Sequence, residues 1–317
     1  MAMKVDVKKA VGFQSKPQKV VFNSRDLMLY ALSVGVRSPE TELHFLYEND
    51  PNFSAFPTYP LVLGFKRDNV GVSVFDAGSS GESVPGIPEF DPSMALHGDQ
   101  SLEIYRPLPA EGSDNFELHS TITGVYDKGK GMVIERSTLL VDPKEPQNPY
   151  SKMTMSAFIR GAGGWGGDKG PKVELNEPPK DKLPYAAVEE QTSEDQAILY
   201  RLSGDYNPLH IDPAIASMVG FKKPILHGLC TYGHAAHAIL REFGGSDPNA
   251  FKSISGRFTA PTFPGDTLQT KMWKVPAGDK SMTKILFQCV AKERGVVVIN
   301  AGCVVLQNPT QSLTSKL

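Results

Sequence analysis

The second half of this chain repeats its first, which limits the fold to two copies of one unit. Tyr105-Arg106-Pro107-Leu108-Pro109 resembles Thr259-Ala260-Pro261-Thr262-Phe263-Pro264 at an offset of 154 residues. Lys130-Gly131-Met132-Val133-Ile134 resembles Arg294-Gly295-Val296-Val297-Val298 at 164. A slowly growing offset is what a duplication leaves when loops lengthen. Both stretches read as strands: Phe116 to Ile122 alternates apolar and polar residues, and Gly131 to Val141 is β-branched after a Gly-rich turn. A similar order returns from Ile254 to Leu306, so each copy is an α+β unit.

A third match breaks the register. Leu96-His97-Gly98 resembles Leu226-His227-Gly228 at an offset of 130, which leaves 24 more residues between His-Gly and the next strand in the second copy. Those residues include Leu229 to Phe243, an Ala-rich run that stops at Gly244-Gly245 and predicts a helix. The first copy lacks it, and a missing helix in a sheet-wrapping unit leaves room for a bulky ligand. The spacing predicts one unit over 1–150, a Gly/Pro-rich linker over 151–184, a second unit over 185–310 and a tail over 311–317.

The linker contains a decoy. Gly161, Gly163 and Gly166 satisfy G-x-G-x-x-G, and Met153 to Ile159 could be a preceding strand. A dinucleotide site needs a helix next, whereas Asp168-Lys169-Gly170-Pro171-Lys172 is turn sequence. Charge narrows the partners further. With 33 basic and 35 acidic side chains and no basic block, nothing attracts nucleic acid or an anionic membrane. No apolar run approaches the length of a membrane span, and no signal peptide opens the chain. Cys230, Cys289 and Cys303 form no paired framework. The chain closes on Ser315-Lys316-Leu317, the peroxisomal address read by an import receptor.

The chemistry concentrates after a helix-like run from Glu194 to Leu202. Asp205-Tyr206-Asn207-Pro208-Leu209-His210 lies between that helix and another opened by Asp212-Pro213. On such an irregular segment a carboxylate and an imidazole five residues apart can meet across one small molecule such as water. Alone, the pair is more simply a turn cap and a half-buried histidine. The next element argues otherwise: Gly228 opens the Ala-rich helix, where unpaired backbone N–H groups and the helix dipole would stabilise a carbonyl gaining negative charge. His234 and His237, with His227 upstream, raise a zinc site, but no carboxylate falls at ligand spacing and they read as half-buried helix residues. Cys230, without a base beside it, reads as core.

Tyr200-Arg201-Leu202-Ser203-Gly204-Asp205-Tyr206-Asn207-Pro208-Leu209-His210 resembles the signature of the R-specific enoyl-CoA hydratases, hydratase 2, within the MaoC-like group. The likeness continues through Pro224 to Gly233, Leu27 to Gly35, His97 to Pro109, and Tyr126 to Gly129. It implies a double hot-dog fold: two antiparallel sheets each built around a central helix, with that helix reduced or absent in the first copy. By the same resemblance, the second copy carries catalysis and the first accommodates the acyl chain. Asp205 and His210 would activate water, Asn207 would support them, and the Gly228 amide would polarise a thioester. The implied reaction is hydration of trans-2-enoyl-CoA to (3R)-3-hydroxyacyl-CoA in peroxisomal β-oxidation, with no metal or other cofactor. His97, Gly98, Lys128 and Phe258 would line the CoA or acyl path, with Tyr206 also on the substrate side. Lys128 would serve as a phosphate partner, the alternative being a solvated turn residue after Asp127. Glu48 resembles a family carboxylate whose simplest role is to buttress the fold. The resemblance also implies a homodimer. The same fold supports acyl-CoA thioesterases, the alternative reading, although those place a lone carboxylate on the helix.

Overall fold

A computed structural model describes residues 4–72, 82–91, 94–172 and 175–309. The first copy supplies strands β1 (Gln18–Asn23), β2 (Ala95–Ile104), β3 (Gly112–Asp127), β4 (Gly131–Val141) and β5 (Ser151–Arg160). The second supplies β6 (Ala186–Gln191), β7 (Phe251–Phe258), β8 (Thr267–Val275), β9 (Met282–Ala291) and β10 (Val296–Gln307). Their order is β1-β3-β4-β5-β2-β7-β10-β9-β8-β6, so each copy has the same five-strand topology and the two expected sheets join edge to edge. At the junction Ser101 of β2 pairs with Ser255 of β7. These serines are separated by the same 154 residues as Pro107 and Pro261, which places a pseudo-twofold axis between the two strands. The pairing also hides one open edge of each copy.

Among the described residues seven α-helices accompany the sheet: α1 (Val7–Ala10), α2 (Ser24–Ser33), α3 (Pro39–Glu42), α4 (Leu63–Lys66), α5 (Gln196–Arg201), α6 (Pro213–Met218) and α7 (Gly228–Gly244). Of these α7 is the expected Ala-rich helix, buried from Leu229 to Leu240 against β7 to β10. It ends where Gly245 turns left-handed, at φ 60°, and donates to the Leu240 carbonyl, a stop that favours glycine. No counterpart precedes β2 among the described residues. The vacated place is partly filled from both ends. Phe45, Phe56, Tyr59, Val62 and Leu63 join Leu102, Phe116, Leu118 and Leu140 in the main core. Ala10, Val84, Ile87 and Phe90 pack with Ile122, Met132 and Ile159 in a second cluster. Ile134, Arg136, Met155 and Ala157 remain half-buried.

The domain boundary needs correction. Residues 151–160, assigned above to the linker, form β5, which pairs with β4 on one side and β2 on the other. Met153, Met155, Ala157 and Ile159 alternate with Lys152, Thr154, Ser156 and Phe158, a period-two pattern that outweighs the flanking Gly and Pro. The first unit therefore reaches Arg160.

The Gly-rich loop that follows does bind an anion, but that anion is Asp127. Its carboxylate accepts the N–H groups of Gly164, Gly129 and Gly166, each at 2.8 Å. These bonds, Gly164 first, hold the Asp127 carboxyl down at about 2. A pKa lowered on folding adds stability that is present above the ordinary carboxylate value and fades as pH falls towards about 2. Asp127→Asn should therefore lower the urea midpoint at neutral pH and flatten its acid dependence. An unchanged midpoint would show that the carboxylate does not anchor the loop.

One fully buried carboxylate–imidazole pair, Glu42 with His237, ties the copies together, and a second, Glu190 with His234, lies within the second copy. Glu42 accepts from His237 Nε2 at 2.8 Å and from Ser246 Oγ at 2.9 Å, and Glu190 Oε1 lies 3.2 Å from His234 Nδ1. Both histidines are buried, not half-buried, and each has a carboxylate that spacing along the chain did not show. Glu48 is exposed and bonds to Asn49, so the buried buttress is Glu42. α2 meets α7 so closely that a Cβ on Gly233 would lie 2.4 Å from Val34 Cγ1, which requires glycine there. Cys230 is fully buried and its thiol, donating to the Ser33 carbonyl, is pushed well up by burial, as a core cysteine should be.

Candidate active site

The segment between α5 and α6 is shaped by side-chain caps. Gly204, at φ 129°, presses against the Lys66 backbone, where a Cβ would come within 2.7 Å. Asp205 Oδ1 accepts from the Asn207 N–H at 3.2 Å, and Asn207 Oδ1 accepts from the Leu209 N–H at 3.0 Å. Asp212 caps α6 through the Ala214 N–H. This succession of turns leaves His210 at the end of the short turn Pro208–His210, facing the start of α7.

His210 Nδ1 donates to the Ile225 carbonyl at 2.9 Å, which assigns the lone pair to Nε2. The His227 ring stacks on His210 with centroids 3.7 Å apart, and its Nε2 donates to the Asp205 carbonyl oxygen at 3.2 Å. One ligating atom from each of Asp205, His210 and His227 lies within 4.8 Å of the others. No direct bond joins the Asp205 carboxylate to the His210 imidazole, and that spacing fits two groups sharing one small hydrogen-bonding molecule. Burial pushes the Asp205 carboxyl up and the His210 imidazole down, while their mutual attraction opposes both shifts. Burial, then the neighbouring His210, pushes His227 well down, so it stays neutral beside its partner.

Asp, His and His could in principle hold a divalent ion. Stacked rings inclined by 27° cannot both aim their in-plane lone pairs at one point about 2 Å from each nitrogen, so the geometry suits water better.

Gly228 begins α7 directly after His227, and no side chain caps that end. A Cβ on Gly228 would press on the Phe258 ring at 3.2 Å, so glycine opens the approach to the first-turn N–H groups. His97 of the first copy meets the same Phe258 edge-on at 4.7 Å. Burial lowers His97 to about 4, and its Nε2 lies 3.0 Å from Gln100 Oε1. Gly98 sits at the bulge between His97 and Asp99, where a Cβ would crowd the Ser156 carbonyl at 3.2 Å. The fold thus brings Asp205, Asn207, His210, Gly228, Phe258, His97 and Gly98 to one end of α7. Lys128 is elsewhere, on the exposed turn between β3 and β4, engaged by the Lys169 carbonyl and the Tyr126 ring. Tyr206 lies in the loop between Asp205 and His210, but its ring is 9% exposed under the Arg201 guanidinium.

Residues 21–161 match the family described as MFE-2 hydratase 2 N-terminal domain, and residues 176–295 match the MaoC like domain. A Dictyostelium discoideum protein named probable enoyl-CoA hydratase 2 is 43% identical over 96% of this chain and 98% of its own length. The chain belongs to the MaoC-like hydratase 2 family. A second member, the peroxisomal enoyl-CoA hydratase 2 of Arabidopsis thaliana, is 37% identical over 93% of each chain. The crystal structure of a MaoC-like dehydratase from Phytophthora capsici superposes with a TM-score of 0.86, at 42% identity over 96% of this chain and 99% of that one. These likenesses bear out the double hot-dog architecture of hydratase 2.

Sequence reasoning passed over His227 as a site residue, grouping it with His234 and His237. Its place immediately before Gly228 was the available signal, because a residue there faces whatever approaches the helix end. Gln100, which positions His97, left no signal, since the bulge at Gly98 sets which face it takes.

Proposed function

We propose that this protein adds water reversibly to trans-2-enoyl-CoA, giving (3R)-3-hydroxyacyl-CoA in peroxisomal fatty-acid β-oxidation. The observation that carries the reading is the Asp205/His210 pair, set beside the uncapped first turn of α7. The Asp205 carboxylate and the His210 Nε2 lone pair can each accept one hydrogen of a water molecule, which turns its oxygen towards C3 of the substrate. As that oxygen bonds to C3, one of its protons passes through the pair to C2. The thioester oxygen, lying against the Gly228 N–H, takes up the transient enolate charge; a donor of this kind contributes about 10²–10³ in rate. Neutral His227 stacks on His210 without adding a second positive charge. The members named enoyl-CoA hydratase 2 support the same reaction. No step in it calls for a redox group or a metal.

The test is loss of the enoyl absorbance of crotonyl- or decenoyl-CoA with purified protein, followed by oxidation of the product with an R-specific dehydrogenase. Release of free CoA without hydration would replace the reading with a thioesterase. We take the active form to be a homodimer, which sedimentation at micromolar concentration tests.

The peroxisomal setting is supported by the Arabidopsis relative's name and by Ser315-Lys316-Leu317, which lies outside the described residues. Deleting those three residues should abolish organelle import of a tagged protein and leave its hydratase rate unchanged. Continued co-localisation with peroxisomes would refute the address.

A further inference from the structure

In an antiparallel sheet, residues paired across strands point to the same face. One row crosses the first copy as Ile122, Arg136, Met155 and Gln100, and continues to Gly256 of β7. A Cβ on Gly256 would meet the Tyr232 ring of α7 at 3.3 Å. Arg136 therefore lies on the face that α7 covers in the second copy, in the half where no such helix lies among the described residues. The neighbouring row runs Val125, Ile134, Ala157 and His97, and so ends at the ring that meets Phe258 beside Gly228. Between the active site and Arg136 the floor is apolar.

Arg136 is half-buried, and its guanidinium has no acid, hydrogen-bond or ring partner among the described residues. Burial lowers its pKa, with no neighbouring charge to oppose the shift. A partly desolvated, unpaired cation costs stability, so an anion brought beside it would be held favourably. Guanidinium offers a planar fork that matches a carboxylate with two parallel bonds. Arg136 stands two strands from β2, which is about 10 Å sideways from His97. A crotonyl chain ends short of it, whereas a longer acyl chain lying on Ile134, Ala157 and Met155 reaches it.

We infer that Arg136 is a specificity residue that receives a carboxylate at the far end of the acyl chain, so that ω-carboxyl enoyl-CoA esters are substrates. The inference rests on the hydratase reading. The apolar floor favours an acyl tail over a hydrated CoA phosphate as the source of the anion.

The experiment compares methyl-ended and ω-carboxyl enoyl-CoA esters of decenoyl and hexadecenoyl length, with crotonyl-CoA as control, in wild type and Arg136→Met. The wild type should prefer an ω-carboxyl ester at one of these lengths. A charge-assisted bond contributes about 10- to 100-fold, so Arg136→Met should raise KM for that ester by about this factor and leave crotonyl-CoA kinetics unchanged. Absence of a preference in wild type overturns the inference. An equal loss for all esters, crotonyl-CoA included, also overturns it and assigns Arg136 to the CoA phosphates. If wild type hydrates none of them, the hydratase reading fails, and calorimetry with saturated ω-carboxylacyl-CoA decides Arg136 alone: weaker binding to the variant supports it, and equal binding overturns it.

Discussion

Asp205→Asn and His210→Gln should each lower kcat for crotonyl-CoA hydration by about 10²–10⁴-fold with little change in KM, because each removes one of the two acceptors that hold the attacking water. The losses should not add, since a water held by one group is already misaimed. The double variant is expected near the worse single one. The pH profile carries a further sign. Asp205 is raised and His210 lowered by burial, so the active pair is a carboxylate beside a neutral imidazole, and the rate should fall as acid protonates it. The acid limb belongs to the coupled pair and not to either residue. In Asp205→Asn it should shrink to the single step left by His210. Variants that keep wild-type rates would remove Asp205 and His210 from the chemistry.

His237→Leu should unfold at markedly lower urea concentration than wild type. The Glu42 side chain is 1% exposed, and without His237 its Oε1 retains only Ser246, while Oε2 already has no partner. Removing one member of a buried pair costs about 3–5 kcal/mol, much of the roughly 5–15 kcal/mol that holds a typical domain. The double change Glu42→Leu with His237→Leu should recover most of that loss, because no buried charge is left unpaired. Burial, the largest single influence, would raise Glu42, but the His237 hydrogen bond and charge, the Ser246 hydrogen bond and the Arg241 charge together outweigh it and the net shift is downward. The pair's contribution is then present above the ordinary carboxylate pKa and is lost as pH falls through the lowered value. A single variant with a wild-type midpoint would show that the pair does not hold the copies together.

Local signals are legible in the sequence wherever short-range physics decides the outcome. The helix stop at Gly244-Gly245, the cap at Asp212 and the turn around Asp205 depend on residues within one turn of each other, and the structure has each of them. Met153 to Ile159 is legible as a strand, but the flanking Gly and Pro place it in the linker, whereas β5 belongs to the first unit. Pairing with β4 and β2 supplies both of its edges, which a single segment does not display. The same limit explains Lys128, whose turn is exposed and engaged locally, and Glu42, whose partner is 195 residues away.

From the sequence alone came the duplication, its 24-residue deficit and the D-x-N-P-x-H loop before a glycine-led helix. Each is a pattern of spacing, and spacing survives in one dimension. The tertiary structure alone placed His227 on His210, Glu42 on His237, Asp127 in the Gly-rich loop and, among the described residues, Arg136 unpaired on the open face. These depend on which face a strand presents and on how closely two distant segments pack, and both are settled only when the sheet closes across β2 and β7.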